Sequence, residues 1–148
     1  DNLAVGMHLS VICSEDVPLI TPQDLAGASR GFFGRALVDD FLRACRHWPR
    51  AALPADLYEP VSSDLPVLIL SGGVDPATPP RHAEAVAAGF PRSRHLVAPQ
   101  LSHGVSGHGC APRLIEKFIR NADAAALDGA CLRRIPRPLF VLPIGTPP

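Results

Sequence analysis

The chain has 148 residues, 47% of them apolar and 19% charged, which fits a globular domain with its own core rather than a disordered segment. Fourteen basic residues balance fourteen acidic ones, so there is no electrostatic case for nucleic acid or an anionic membrane as partner. The longest apolar runs, such as Pro66–Leu70, are far too short to span a bilayer.

The chain opens on DNLAVGMHLSV without a Met or a leader, which reads as an internal start and predicts further chain before Asp1. Residues 1–20 are mixed, with a short apolar run at His8–Cys13 and then the acidic pair Glu15-Asp16. Thr21-Pro22 is a helix start, with Thr as N-cap and Pro at the first helical position. From there Leu25, Ala28, Phe32, Phe33, Ala36, Leu37, Phe41, Ala44 and Cys45 recur at helical spacing. Gly27, Gly31 and Gly34 weaken that helix and predict a break into two pieces. The prolines of HWPRAALPAD (47–56) end it.

Pro66–Ser71 (PVLILS) is a continuous apolar run bounded by turn residues, the pattern of a strand buried on both faces of a parallel sheet. Gly72-Gly73 turns the chain out of it, Thr78-Pro79 opens a helix to about Ala88, and Ser93–Ala98 reads as the next strand. Pro112 begins another helix, with Leu114, Ile115, Phe118, Ile119 and Ala122 on one stripe. Strand, helix, strand, helix within about sixty residues predicts a right-handed parallel α/β unit. Two strands alone make a poor sheet, so their flanks predict neighbours elsewhere in the protein. The 17 prolines are about twice average usage. They cluster in loops and in the tail RRIPRPLFVLPIGTPP (133–148), which is either an extended strap over the fold or disordered.

Cys13, Cys45, Cys110 and Cys131 show no C-x-x-C spacing, which argues against a zinc ribbon or a thioredoxin-type site. Their even number and wide spacing fit two disulfides in an exported protein, with four buried thiols in a cytosolic one as the alternative. Three pairings are open. Local order favours Cys13–Cys45 and Cys110–Cys131, each worth roughly 3 kcal/mol in the chain-entropy model.

Asp75 sits just beyond the end of the first strand, and His103 lies in the loop after the second. Catalytic groups of open α/β sheets gather at that edge. Singly, Asp75 reads as a turn residue and His103 as a loop histidine. Together, on successive strand ends amid glycines, they suit a pair in which a carboxylate fixes the tautomer of an imidazole. GASRG (27–31) spells the G-x-S-x-G of a nucleophile elbow, and the chain order Ser29, Asp75, His103 is permissible. An elbow requires a buried strand immediately before it, whereas TPQDLA ahead of Gly27 is a helix start, so Ser29 reads as a small packing residue. His103, His108 and Cys110 are close in sequence but match no common metal-ligand spacing, and a disulfide at Cys110 would remove it as ligand or thiol nucleophile.

The segment LPVLILSGGVDPATPPRHAEAVAAGFPRSRHLVAPQLSHGVSGHGC (65–110) resembles the C-terminal region of α/β-hydrolases of the tripeptidyl-aminopeptidase and proline-iminopeptidase-like group. The likeness lies in a strand followed by G-x-x-D-P-x-T-P, here with Asp75-Pro76 and Thr78-Pro79, then a helix, a strand and a histidine motif before a cysteine. The histidine motif is Ser102-His103-Gly104, with Ser where Gly is more usual. Cys13 and Cys45-x-x-Trp48-Pro49 resemble the pattern near the end of the family's lid region, and Cys110 with Cys131 resembles its last disulfide. The resemblance covers about residues 5–131 and is strongest over 66–110.

The resemblance implies an α/β fold, specifically the C-terminal part of an α/β-hydrolase with parallel strands, flanking helices and an N-terminal helical segment from the lid. Residues 1–60 would be the end of the lid and its connecting helices, 61–132 the last αβ units of the core, and 133–148 a Pro-rich tail. The implied protein is a secreted or periplasmic serine hydrolase, often one that removes residues from peptide N-termini, with Asp75 as triad acid and His103 as base. Its nucleophile would lie on the N-terminal part of the same protein, far upstream of the acid. Such chemistry calls for no cofactor and no metal, and for a peptide or other small acyl substrate as partner. Glu15 and Asp16 could hold a protonated substrate amine by a charge-assisted hydrogen bond, the alternative being a solvated acidic loop. A non-catalytic binding or structural domain with a hydrolase-like half-sheet is the competing reading.

Overall fold

The computed structural model describes residues 4–32 and 34–139. The chain divides into two compact units, Asp1–Glu59 and Pro60–Pro148.

The first unit is helical. Helix α1 (Val5–Val11) runs into a π-helical turn, Ile12–Asp16, and a 3-10 turn, Val17–Leu19. The mixed pattern of residues 1–20 therefore conceals a helix, because its apolar residues do not share one stripe: Val5, Met7 and Val11 are exposed while Cys13 and Val17 are buried. Helix α2 (Pro22–Ala28) starts as expected, with a reciprocal cap in which the Asp24 N–H donates to Thr21 Oγ1 and the Thr21 N–H donates to Asp24 Oδ2. The glycine-weakened stretch breaks the helix, and α3 (Ala36–Ala44) forms the second piece. Phe33, read as part of the helical stripe, lies outside the described residues. A disulfide joins Cys13 to Cys45 at the centre of this unit, packed by Leu9, Ile12, Ile20, Phe41, Leu42 and Trp48.

The second unit is built on two parallel strands, β1 (Val67–Gly72) and β2 (Ser93–Ala98), paired from Val67 opposite Ser93 to Gly72 opposite Ala98. Helix α4 (Pro80–Ala87) makes the crossover. It begins one residue later than Thr78-Pro79 suggests, because Pro79 precedes another proline and is held in extended backbone at φ −61° and ψ 154°. A 3-10 turn (Val105–Gly107), helix α5 (Ala111–Asn121) and a 3-10 helix (Ala130–Arg134) complete the unit. Pro112 occupies the first turn of α5, where its missing N–H costs no helical hydrogen bond.

The core lies between β2, α5 and the 3-10 helix, with Leu96, Ala98, Leu101, Val105, Ala111, Leu114, Leu127 and Leu132 buried together. Full burial of leucines such as Leu127 and Leu132 contributes about 2–3 kcal/mol each. The Cys110–Cys131 disulfide ties the start of α5 to that 3-10 helix. Leu68, Ile69 and Leu70 are half-buried rather than buried on both faces, since a two-stranded sheet is too narrow to cover them. On α5, Leu114 is buried and Ile115 and Phe118 half-buried, while Ile119 points outward at 73% exposure. Of the Pro-rich tail, residues 140–148 lie outside the described residues. Its described beginning packs down, with Ile135 against the core and Arg137 Nε donating to Gln100 Oε1 at 3.3 Å.

Candidate active site

Both strands end in loops that are laced together. The Gly73 N–H donates to the Ala98 carbonyl at 2.9 Å, and the Val74 N–H to the Leu101 carbonyl at 3.1 Å. So close an approach needs glycine: a Cβ on Gly73 would lie 2.7 Å from the Pro99 oxygen. Gly104 follows the second loop with φ at 86°, a left-handed conformation that glycine adopts without strain.

This lacing brings Asp75 to His103. Asp75 Oδ2 lies 3.0 Å from His103 Nδ1, across 28 residues of sequence. The Asp75 side chain is 4% exposed and that of His103 67% exposed. Every side of the carboxylate is bonded. Oδ1 accepts from the Ala77 N–H at 2.8 Å and the Thr78 N–H at 3.0 Å, and Oδ2 accepts from the Thr78 hydroxyl at 2.8 Å.

The Thr78 N–H is the main cause holding the Asp75 carboxyl well below the usual carboxylate range. Burial opposes it, and the Thr78 hydroxyl, the Ala77 N–H and His103 add to the lowering. Asp75 is therefore ionised near neutral pH and can only accept hydrogen bonds. It follows that Nδ1 of His103 carries the proton, and Nε2, at the exposed end of the ring, presents its lone pair. The arrangement can accept a proton at Nε2 and steady the resulting cation through Oδ2.

Thr78 was legible in the sequence as a helix start and as part of the resembling motif, not as a partner of the carboxylate. Its spacing in Asp75-Pro76-Ala77-Thr78 is the available signal, since an Asp in a turn is reached by backbone N–H groups two and three residues on. A second imidazole–hydroxyl contact, His95 Nε2 to Ser71 Oγ at 2.9 Å, joins the two strands. Ser71 is buried there, and the bond satisfies its hydroxyl.

The other candidates are placed as follows. Ser29 ends helix α2 in helical geometry and donates its hydroxyl to the Leu25 carbonyl at 2.9 Å, so GASRG is not a turn between a strand and a helix. Glu15 and Asp16 lie in the π-helical turn of the first unit, Glu15 half-buried and Asp16 exposed. The Glu15 backbone carbonyl accepts from Tyr58 at 2.6 Å. Cys110 is in its disulfide, which removes it as metal ligand and as thiol nucleophile. A recess of about 530 Å³ runs along β2 beside Arg94, Val97 and Arg133, and neither Asp75 nor His103 lines it.

The model of the TAP-like protein family of α/β-hydrolases matches residues 30–131. The chain belongs to that family. The matched span of this TAP-like chain includes Cys45, Asp75, His103, Cys110 and Cys131, and leaves out Cys13, Glu15 and Asp16. The match supports a hydrolase-like domain, and the parallel strands and helices of the second unit are consistent with an α/β fold. No curated protein and no solved structure matches the chain. Its two disulfides belong in an oxidising environment. Among the described residues, no helix is long and apolar enough to cross a membrane.

Proposed function

We propose that this chain is the C-terminal part of an exported serine hydrolase, in which Asp75 and His103 are the acid and base of a catalytic triad. The observation that carries the reading is the bond between an ionised, buried carboxylate and Nδ1 of an otherwise exposed imidazole. Residues 1–60 would be the end of the lid, and residues 61–132 the last αβ units of the hydrolase core. The nucleophile would be a serine on the N-terminal part of the same protein, because Ser29 stands at a helix end with its hydroxyl bonded to backbone.

In that mechanism Nε2 of His103 takes the serine proton as the serine oxygen attacks the acyl carbon. The imidazolium then gives the proton to the departing amine, and water, activated at the same nitrogen, releases the acyl group. Asp75 stays ionised throughout. Family membership favours peptides as substrates and removal of residues from their N-termini as the reaction. Glu15 or Asp16 would then anchor the substrate's ammonium group.

A fluorophosphonate probe tests this on the protein expressed with its upstream reading frame. Labelling at an upstream serine is expected, together with a loss of turnover on the order of 10⁴-fold in Asp75→Asn. Residues 1–148 alone should leave aminoacyl and tripeptidyl chromogenic substrates intact. Turnover by that chain, abolished in Ser29→Ala, would overturn the assignment. Absence of labelling in a folded full-length protein would favour a non-catalytic domain.

A further inference from the structure

We infer that Thr78 is a positioning residue whose hydroxyl holds His103 in the Nδ1–H tautomer. Three polar atoms form a closed triangle: Thr78 Oγ1 to Asp75 Oδ2 at 2.8 Å, Asp75 Oδ2 to His103 Nδ1 at 3.0 Å, and Thr78 Oγ1 to His103 Nδ1 at 3.2 Å. The hydroxyl has one proton, and the ionised Oδ2 takes it. The Thr78 lone pairs are thereby turned towards Nδ1, which finds a second acceptor beside the carboxylate. A ring protonated at Nε2 alone would turn a lone pair at Nδ1 towards the ionised carboxylate, and it would find a donor only if the Thr78 hydroxyl gave up its bond to Asp75 Oδ2. Thr78 thus penalises the wrong tautomer as well as supporting the right one.

The role is distinct from the backbone's. The Thr78 N–H bonds to Oδ1 whatever the side chain is, so the carboxylate keeps that anchor when the hydroxyl is removed. Valine matches threonine in shape but has no hydroxyl, and serine keeps the hydroxyl without the methyl.

Nitrogen-15 NMR of the ring nitrogens of His103 tests the inference on residues 1–148, with the imidazole neutral and the signals assigned by their loss in His103→Gln. The two nitrogens should be widely split in the wild type, as one tautomer requires. In Thr78→Val the splitting should shrink towards the average of two exchanging tautomers, and Thr78→Ser should restore it. Should the valine variant fail to fold, Thr78→Ala makes the same comparison. An unchanged splitting in the folded variant overturns the inference.

The kinetic counterpart rests on the reading of Asp75 and His103 as a catalytic pair. In the complete protein, kcat should fall roughly tenfold in Thr78→Val with KM little changed, and recover in Thr78→Ser. If His103→Ala leaves turnover intact, the catalytic reading fails while the NMR splitting still decides the role of Thr78. If His103→Ala abolishes turnover but Thr78→Val alters neither splitting nor kcat, the inference about Thr78 fails alone.

Discussion

A Cβ placed on Gly72 would lie 2.0 Å from the carbonyl oxygen of Ser102, the residue that precedes the exposed imidazole. The end of β1 and the loop after β2 are thus in backbone contact, with no room for a side chain between them. Both the Leu101 and Ser102 carbonyls crowd that position, and neither is the flexible end of a side chain. Gly72→Ala should therefore force the loops apart and destabilise the second unit by about 2–3 kcal/mol or more. Urea unfolding followed by circular dichroism gives the stability. The NMR splitting of the His103 ring should collapse in the same variant.

Asp75 makes stability depend on pH in a direction set by its bonds. Its carboxyl titrates lower in the folded chain than in the unfolded one, so its contribution is fully present above about pH 4 and is lost as the pH falls towards the folded value. Asp75→Asn should accordingly be less stable than wild type near neutral pH. The gap between the two urea midpoints should narrow steadily below pH 4. A constant gap from neutral pH down to strongly acid pH would contradict this account.

The Cys110–Cys131 disulfide joins residues 21 apart in sequence and fastens α5 beside a segment with no regular strand or long helix of its own. The chain-entropy model assigns such a loop about 3 kcal/mol. The double variant Cys110→Ser, Cys131→Ser should lose that amount in chemical denaturation. Reduction of the wild type, which also opens Cys13–Cys45, should lower stability further.

In the first unit, the Thr21 cap offers a smaller and separate test. Replacing Thr21 by Ala removes the acceptor for the Asp24 N–H and leaves Asp24 to bond only the backbone. The expected cost is about 1 kcal/mol. Trp48 is the chain's single tryptophan and packs beside the Cys13–Cys45 disulfide, so its fluorescence reports this unit.

The parts of the fold that were legible in sequence are those set by local rules. PVLILS and SRHLVA read as strands because apolar and β-branched residues run between glycine and proline turns. Thr21-Pro22 read as a helix start for the reason that its cap forms. Asp75 and His103 were identifiable from their places after successive strands, although their approach depends on loop contacts no spacing rule contains. Helix α1 was missed because a π-helical turn follows it and shifts the apolar side chains off a single stripe. Thr78 was half legible. Its place ahead of a proline marked a helix start, but only the fold reveals that its hydroxyl turns back to the carboxylate.

The acid and the base of this pair differ sharply in access, at 4% and 67% side-chain exposure. A water-borne acylating reagent such as diethyl pyrocarbonate can therefore reach the imidazole, whereas a carbodiimide meets a carboxylate closed off by its own turn. Chemical footprinting would see only one member of the pair. The partnership between them has to be read from what modification of His103 does to its hidden neighbour.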